Sequence, residues 1–143
     1  MITIRPAAPA DLPGIAAVLD AADLRYSAET LDHFTVAETV GRIVGVVRLE
    51  EHPQFFFLTS LGVLPAREKQ GIATALLQSV LSDKKKPVYL YTIIPGFFRR
   101  FGFQETAPLA GLPAKAVYGC DQCLPGQCAV MVKYPDDPPL SRL

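Results

Sequence analysis

The segment Lys69-Gln70-Gly71-Ile72-Ala73-Thr74 sets a glycine and a small residue directly ahead of an apolar helical repeat, with a cation two positions before the glycine. A loop of this kind gathers backbone N–H donors at a helix N-terminus and can hold a phosphate or pyrophosphate. Gly71 and Ala73 would let the main chain approach such a ligand closely. The same spacing also fits an ordinary helix start. A second group, Glu50-Glu51-His52, puts two carboxylates and an imidazole into one turn ahead of Pro53, where they can handle a proton or simply be solvated. Tyr91 offers a phenol on an extended run, whose alternation can equally turn it into the core. Arg99 and Arg100 follow a Phe pair, so one of them suits a phosphate and the other solvent. Cys120-x-x-Cys123-x4-Cys128 gathers the three cysteines at a spacing that zinc or iron–sulfur sites use. No fourth ligand is evident, so no metal is assigned, and a Cys120/Cys123 redox pair or plain small residues stay open.

The chain that must position these groups has 143 residues, 50% of them hydrophobic and 20% charged. That is enough apolar material for one core, and disorder of the body is excluded. With 14 Lys+Arg against 14 Asp+Glu there is no global field to draw in nucleic acid or an anionic membrane. The longest apolar runs, such as Phe55-Phe56-Phe57-Leu58, are too short to span a bilayer. The opening residues lack the pattern of a signal peptide, so a cytoplasmic setting with reduced thiols is expected. One domain over residues 1–134 and an extended or disordered tail over 135–143 complete the organisation.

Alternation over Met1–Arg5 predicts a first strand. Asp11 is expected to cap a helix whose stripe is Leu12, Ile15, Ala16 and Leu19, and Ser27 to cap another short helix. Gly41-Arg42 separates two β-branched runs, Phe34–Val40 and Ile43–Leu49, as an antiparallel hairpin. Gln54–Val63 is apolar on both faces and reads as a central strand. A helix with Ile72, Ala75, Leu76 and Val80 on one face follows the glycine loop, ended by Lys84-Lys85-Lys86, and Val88–Thr92 returns as a parallel strand. A short helix Phe97–Phe101 closes on Gly102, and Cys128–Tyr134 is a last strand.

This order of elements, with Ile4-Arg5-Pro6-Ala7, Val63-x-Pro65, Gly71-Ile72-Ala73 and Phe97-Phe98-x-x-x-Gly102-Phe103, resembles the GCN5-related N-acetyltransferase (GNAT) family. A narrower similarity, in Leu90-x-Thr92-x-x-Pro95 and in Leu112-Pro113-x-Lys115 with the cysteine cluster, is to short single-domain amino-acid N-acetyltransferases related to N-acetylglutamate synthase. The resemblance implies an α/β fold: a mixed twisted sheet flanked by helices around a central β-α-β unit that binds acetyl-coenzyme A. It implies contacts to the thioester from Leu61, Gly62 and Val63. Further contacts to the co-substrate are implied from Lys69, Gln70, Gly71, Ile72, Ala73, Thr74, Phe98 and Arg100.

The activity implied is acetyl transfer to the amine of a small molecule, an amino acid being one candidate. Such transfer needs a base for the amine and an acid for the thiolate. Glu50 and Glu51 are the candidate bases, acting through water, and Tyr91 the candidate acid. Four positions depart from the resemblance. Glu68 replaces Gln or Arg before the loop, Phe98 replaces a Tyr, and Phe57 and Thr59 stand where a Glu and an Arg are common in the narrower group. These departures keep a second expectation alive, a non-catalytic acetyl-coenzyme A sensor or interaction module. A homodimer is left open.

Overall fold

The computed structural model describes residues 2–22, 24, 32–92, 94–107 and 129–135. The helix expected at Ser27, the three cysteines, Leu112–Lys115 and the tail from residue 136 lie outside the described residues. Seven strands form one sheet: β1 (Thr3–Pro6), β2 (Phe34–Thr39), β3 (Arg42–Glu51), β4 (Phe56–Val63), β5 (Val88–Thr92), β6 (Gln104–Glu105) and β7 (Ala129–Lys133). Their spatial order is β1-β2-β3-β4-β5-β7-β6. All neighbours are antiparallel except β4 and β5. Gln54–Val63, read as central from its two apolar faces, does hold the middle of the sheet.

Two helices cover opposite faces. Helix α1 (Leu12–Ala21) buries Ile15, Val18 and Leu19 against Phe34, Val36, Ile43 and Val46. Helix α2 (Ile72–Leu81) buries Ile72, Leu76, Leu77 and Val80 with Val44, Val47, Leu58, Val88, Leu90 and Met131. A Cβ on Gly45 would stand 2.7 Å from the Ile72 side chain, so glycine there sets how closely α2 lies on β3. The short helix α3 (Pro95–Arg99) follows β5, and Gly102 closes it at φ +93°.

Several local expectations are corrected. Asp11 does not cap α1: its carboxylate accepts from the Ala8 N–H at 2.7 Å and from Arg5 on β1 at 2.7 and 3.0 Å, and these donors take both oxygen atoms. Leu12 is 39% exposed and Val18 takes its place in the stripe. The hairpin turns at Val40-Gly41, both at positive φ, rather than at Gly41-Arg42. Lys84 and Lys86 lie beyond the last turn of α2 and stack over the Phe56 ring instead of completing the helix dipole. The final short helix begins at Pro95, two residues earlier than expected, because proline suits a first helical position.

Two irregularities were not anticipated. The β2–β3 register shifts between Ala37↔Gly45 and Glu38↔Ile43. The β3–β4 register slips between Val46↔Gly62 and Arg48↔Thr59, a bulge in which Ser60 sits at φ 56°.

Candidate active site

The two central parallel strands pair only at Phe56↔Val88 and Phe57↔Tyr89. Beyond that rung β4 continues to Val63 and β5 to Thr92 with no ladder between them, so the sheet opens. The Leu64 N–H donates to Val44 O on the β3 side at 2.9 Å. Counting back by strand alternation, the N–H groups of Val63 and Leu61 turn toward the opening, and that of Gly62 turns to β3. The bulge makes this so, because it reverses the alternation that Phe56 starts by donating to Pro87 O.

The loop from Pro65 to Gly71 leads from this opening to α2. Lys69 and Gly71 both take left-handed conformations, at φ 64° and 82°. A Cβ on Gly71 would meet nothing within 4 Å, so the main chain faces open space. Among the described residues no side chain caps α2, and its first helical bond is from the Ala75 N–H to Gly71 O. Donors at Ile72, Ala73 and Thr74 are thus presented to a ligand or solvent. Lys69, Gln70 and Glu68 are exposed. Arg99 pairs with Glu105 at 3.3 Å, while Arg100 lies over the rings of Phe97 and Phe101. Phe98 is buried, edge-on to Phe97 and Phe103, which gives it a packing role rather than an open surface for a ligand.

The α1 face of the sheet carries the polar groups. Register places Arg48 beside Thr59 and Glu50 beside Phe57 on β4. The Glu and Arg that the narrower resemblance puts at 57 and 59 are therefore matched by charges one strand over. Arg48 is only 4% exposed. Its Nη2 donates to Asp32 Oδ1 at 2.7 Å, its Nε to Asp32 O at 2.9 Å, and its Nη1 to Glu50. The other Glu50 oxygen meets His52 Nε2, and the His52 ring stacks on Phe55 at 4.6 Å between centroids.

Burial pushes the Glu50 carboxyl up, but the bonds from Arg48 and His52 prevail and hold it below its ordinary value. For Arg48, burial acts to lower the pKa, and its two carboxylates outweigh that and raise it. The Arg48 hydrogen bond likewise lowers Asp32.

Glu50 and Glu51, paired in the sequence as equivalent bases, point to opposite faces. Glu51 lies across from Phe56 and is held by Lys86 at 2.7 Å, which lowers its pKa and takes it away from the Glu50 network. Tyr91 shares the α1 face with Tyr89 and meets the Phe57 ring edge-on at 5.0 Å, one step into the opening. In the sequence Arg48 stands inside the run Ile43–Leu49, where a single charge reads as the solvated side of a strand. Its signal was a charge two residues before a glutamate, on one side of an otherwise apolar strand.

A family model described as an acetyltransferase (GNAT) domain matches residues 30–105, just over half of the chain. No match is found among curated proteins. Among solved structures, N-acetylglutamate synthase from Neisseria gonorrhoeae, complexed with coenzyme A and N-acetyl-glutamate, is similar with a TM-score of 0.73 and 21% identity. That match covers 96% of this chain, which spans 36% of the synthase. A Mycobacterium tuberculosis protein in complex with CoA and NLQ has a TM-score of 0.77 at 22% identity, covering 94% of this chain and 99% of its own. The ribosomal-protein-S18-alanine N-acetyltransferase from Escherichia coli has a TM-score of 0.73 at 16% identity, covering 96% and 97%. At these identities the likeness is one of fold. No described helix is long and apolar enough to cross a membrane.

Proposed function

From the premise that this chain belongs to the GNAT family of acetyltransferases, with acetyl-coenzyme A as co-substrate, we propose that its acceptor is the primary amine of a small molecule, amino acids first among them. The observation that carries the reading is the opening beyond Phe57↔Tyr89, with the Leu61 and Val63 N–H groups turned into it and the uncapped start of α2 beside it. When bound, the co-substrate supplies an acyl carbonyl activated as a thioester. Leu61 and Val63 are donors for negative charge developing on that oxygen, with Gly62 between them facing β3. Gly71, Ile72, Ala73 and Thr74 offer N–H groups to the pyrophosphate, and Lys69 and Gln70 border it. Arg100 is the cation left for an outer phosphate, since Arg99 is engaged by Glu105. On this reading Arg48 and Glu50, level with Thr59 and Phe57, border the acceptor side with His52 bonded to Glu50, and Tyr91 is the candidate acid at the mouth. The bound N-acetyl-glutamate of the synthase and the alanine acceptor of the Escherichia coli enzyme support an amino acid or a peptide N-terminus as the acceptor class. A cytoplasmic setting belongs to the same reading.

Calorimetric titration of the reduced, metal-free protein with acetyl-coenzyme A tests the site, with desulfo-coenzyme A and adenosine bisphosphate as comparisons. We expect one-to-one binding that depends on the pyrophosphate, then thiol release with a panel of L-amino acids and short peptides. Gly71→Val, which fills the open cradle and forces a β-branched residue to φ 82°, is expected to weaken binding at least roughly tenfold with the fold retained. Unchanged binding by the folded variant would overturn the loop assignment. Binding without thiol release for any amine would favour the sensor.

A further inference from the structure

We propose that His52 takes up the proton released by the acceptor amine, relayed through water, and that Glu50 and Arg48 are the positioning residues that make it able to do so. This rests on the acetyltransferase reading above. Glu50 alone is poorly suited to the task. Both of its oxygens are engaged, one by the guanidinium of a 4%-exposed arginine and one by His52. A carboxylate held this way stays ionised and acts as an acceptor of fixed direction.

The ring it addresses is different in kind. If Glu50 receives the Nε2–H, the neutral imidazole has its lone pair on Nδ1, a single tautomer selected by one hydrogen bond. Stacking on Phe55 fixes the ring plane, and the Lys86 ammonium donates to His52 O at 2.8 Å, fixing the backbone that carries it. The side chain remains 27% exposed, so a proton taken up can leave to solvent.

The step is balanced simply. One N–H bond of the acceptor ammonium breaks, its electron pair stays on nitrogen, and an Nδ1–H bond forms through the intervening water. The imidazolium then lies against an ionised Glu50 and returns its proton to bulk water. Arg48 enters as a positioning residue only. It fixes Glu50 from the row that also holds Thr59, the first step past the last β4–β5 rung. Asp32 takes the rest of the guanidinium.

The chain has two histidines, so one can be observed alone. In a His33→Gln background, thiol release from acetyl-coenzyme A is followed with the amino-acid panel, alongside calorimetric binding of acetyl-coenzyme A. His52→Gln is expected to lose on the order of a hundredfold in kcat with co-substrate binding unchanged, and added imidazole to restore part of the rate of His52→Gly. Arg48→Lys should recover more rate than Arg48→Met. Undiminished kcat in His52→Gln overturns the proposal, as does a loss that imidazole leaves untouched. If the protein binds acetyl-coenzyme A but turns over no amine, the acceptor class proposed above fails, and the ring decides the relay independently. Nitrogen-15 NMR should show Nε2–H with a bare Nδ1, a preference weakened in Glu50→Gln. An Nδ1–H ring, or one indifferent to Glu50→Gln, overturns the relay.

Discussion

Two arginines in this molecule each join a pair of carboxylates, and they do so in opposite settings. Arg5 on the edge strand β1 meets Asp11 at 2.7 Å and Glu38 at 3.1 Å, with its side chain 31% exposed. Arg48, on a strand inside the sheet, meets Asp32 and Glu50 with almost nothing exposed. The outer cluster clips the loop ahead of α1 to the sheet, and water screens whatever it contributes. The inner cluster costs desolvation that its own attraction need not recover, and apolar residues of similar volume would serve a sheet as well or better. It stands beside the opening between β4 and β5, which is why the proposed acceptor site includes it.

The comparison breaks most readily at Arg48. Arg48→Met takes the guanidinium from a partly buried Glu50 that keeps only His52 among its named partners, and should cost about 2 kcal/mol, read from urea unfolding. Adding Glu50→Gln should return part of that loss, and simple additivity of the two would show that the residues do not act as one unit. Arg5→Met should cost clearly less. Salt sharpens the contrast: in molar sodium chloride the deficit of Arg5→Met should shrink while that of Arg48→Met persists.

The smallest effect is acid titration of the outer cluster. The Arg5 hydrogen bonds, then the Ala8 N–H, hold Asp11 down at about 2 against an ordinary 3.8. A depressed carboxyl contributes stability above the unfolded value and loses it as pH falls through the folded one. The deficit of Asp11→Asn should therefore be constant above pH 3.8 and close as pH approaches 2. A deficit that ignores pH would remove the Arg5 bond as its cause.

What the sequence revealed was whatever neighbours along the chain decide. Period-2 and period-3.6 patterns located β4 and α2, and glycine with proline marked the loop and the hairpin, because turn and helix chemistry act over a few residues. The cap expected from Asp11 fails because its carboxylate turns back to the Ala8 N–H and to Arg5 on β1, where a charge-assisted bond outweighs a bond to the helix start. The position of β7 between β5 and β6 rests on pairing over long separations, which no local pattern encodes. Glu50 and Glu51 looked interchangeable in sequence, although adjacent residues on a strand face opposite ways. The Arg48 network joins Asp32, ahead of β2, to residues on β3, a meeting that only the fold produces.

Ser60 gives the fold an uneven count. A chain one residue shorter at that point could ladder β4 to β3 without interruption, and as a sheet it would be the better one. Gly62 would keep Val46 and Val63 would keep Gly45, so the Leu61 and Val63 N–H groups would still face the opening; what would go is the residue at positive φ that bends β4 where it leaves β5. A deletion there is thus expected to separate two qualities that are usually lost together, yielding a protein that melts no lower and, with β4 straightened, binds acetyl-coenzyme A worse. In that sense the flaw in the ladder works as a wedge one residue thick.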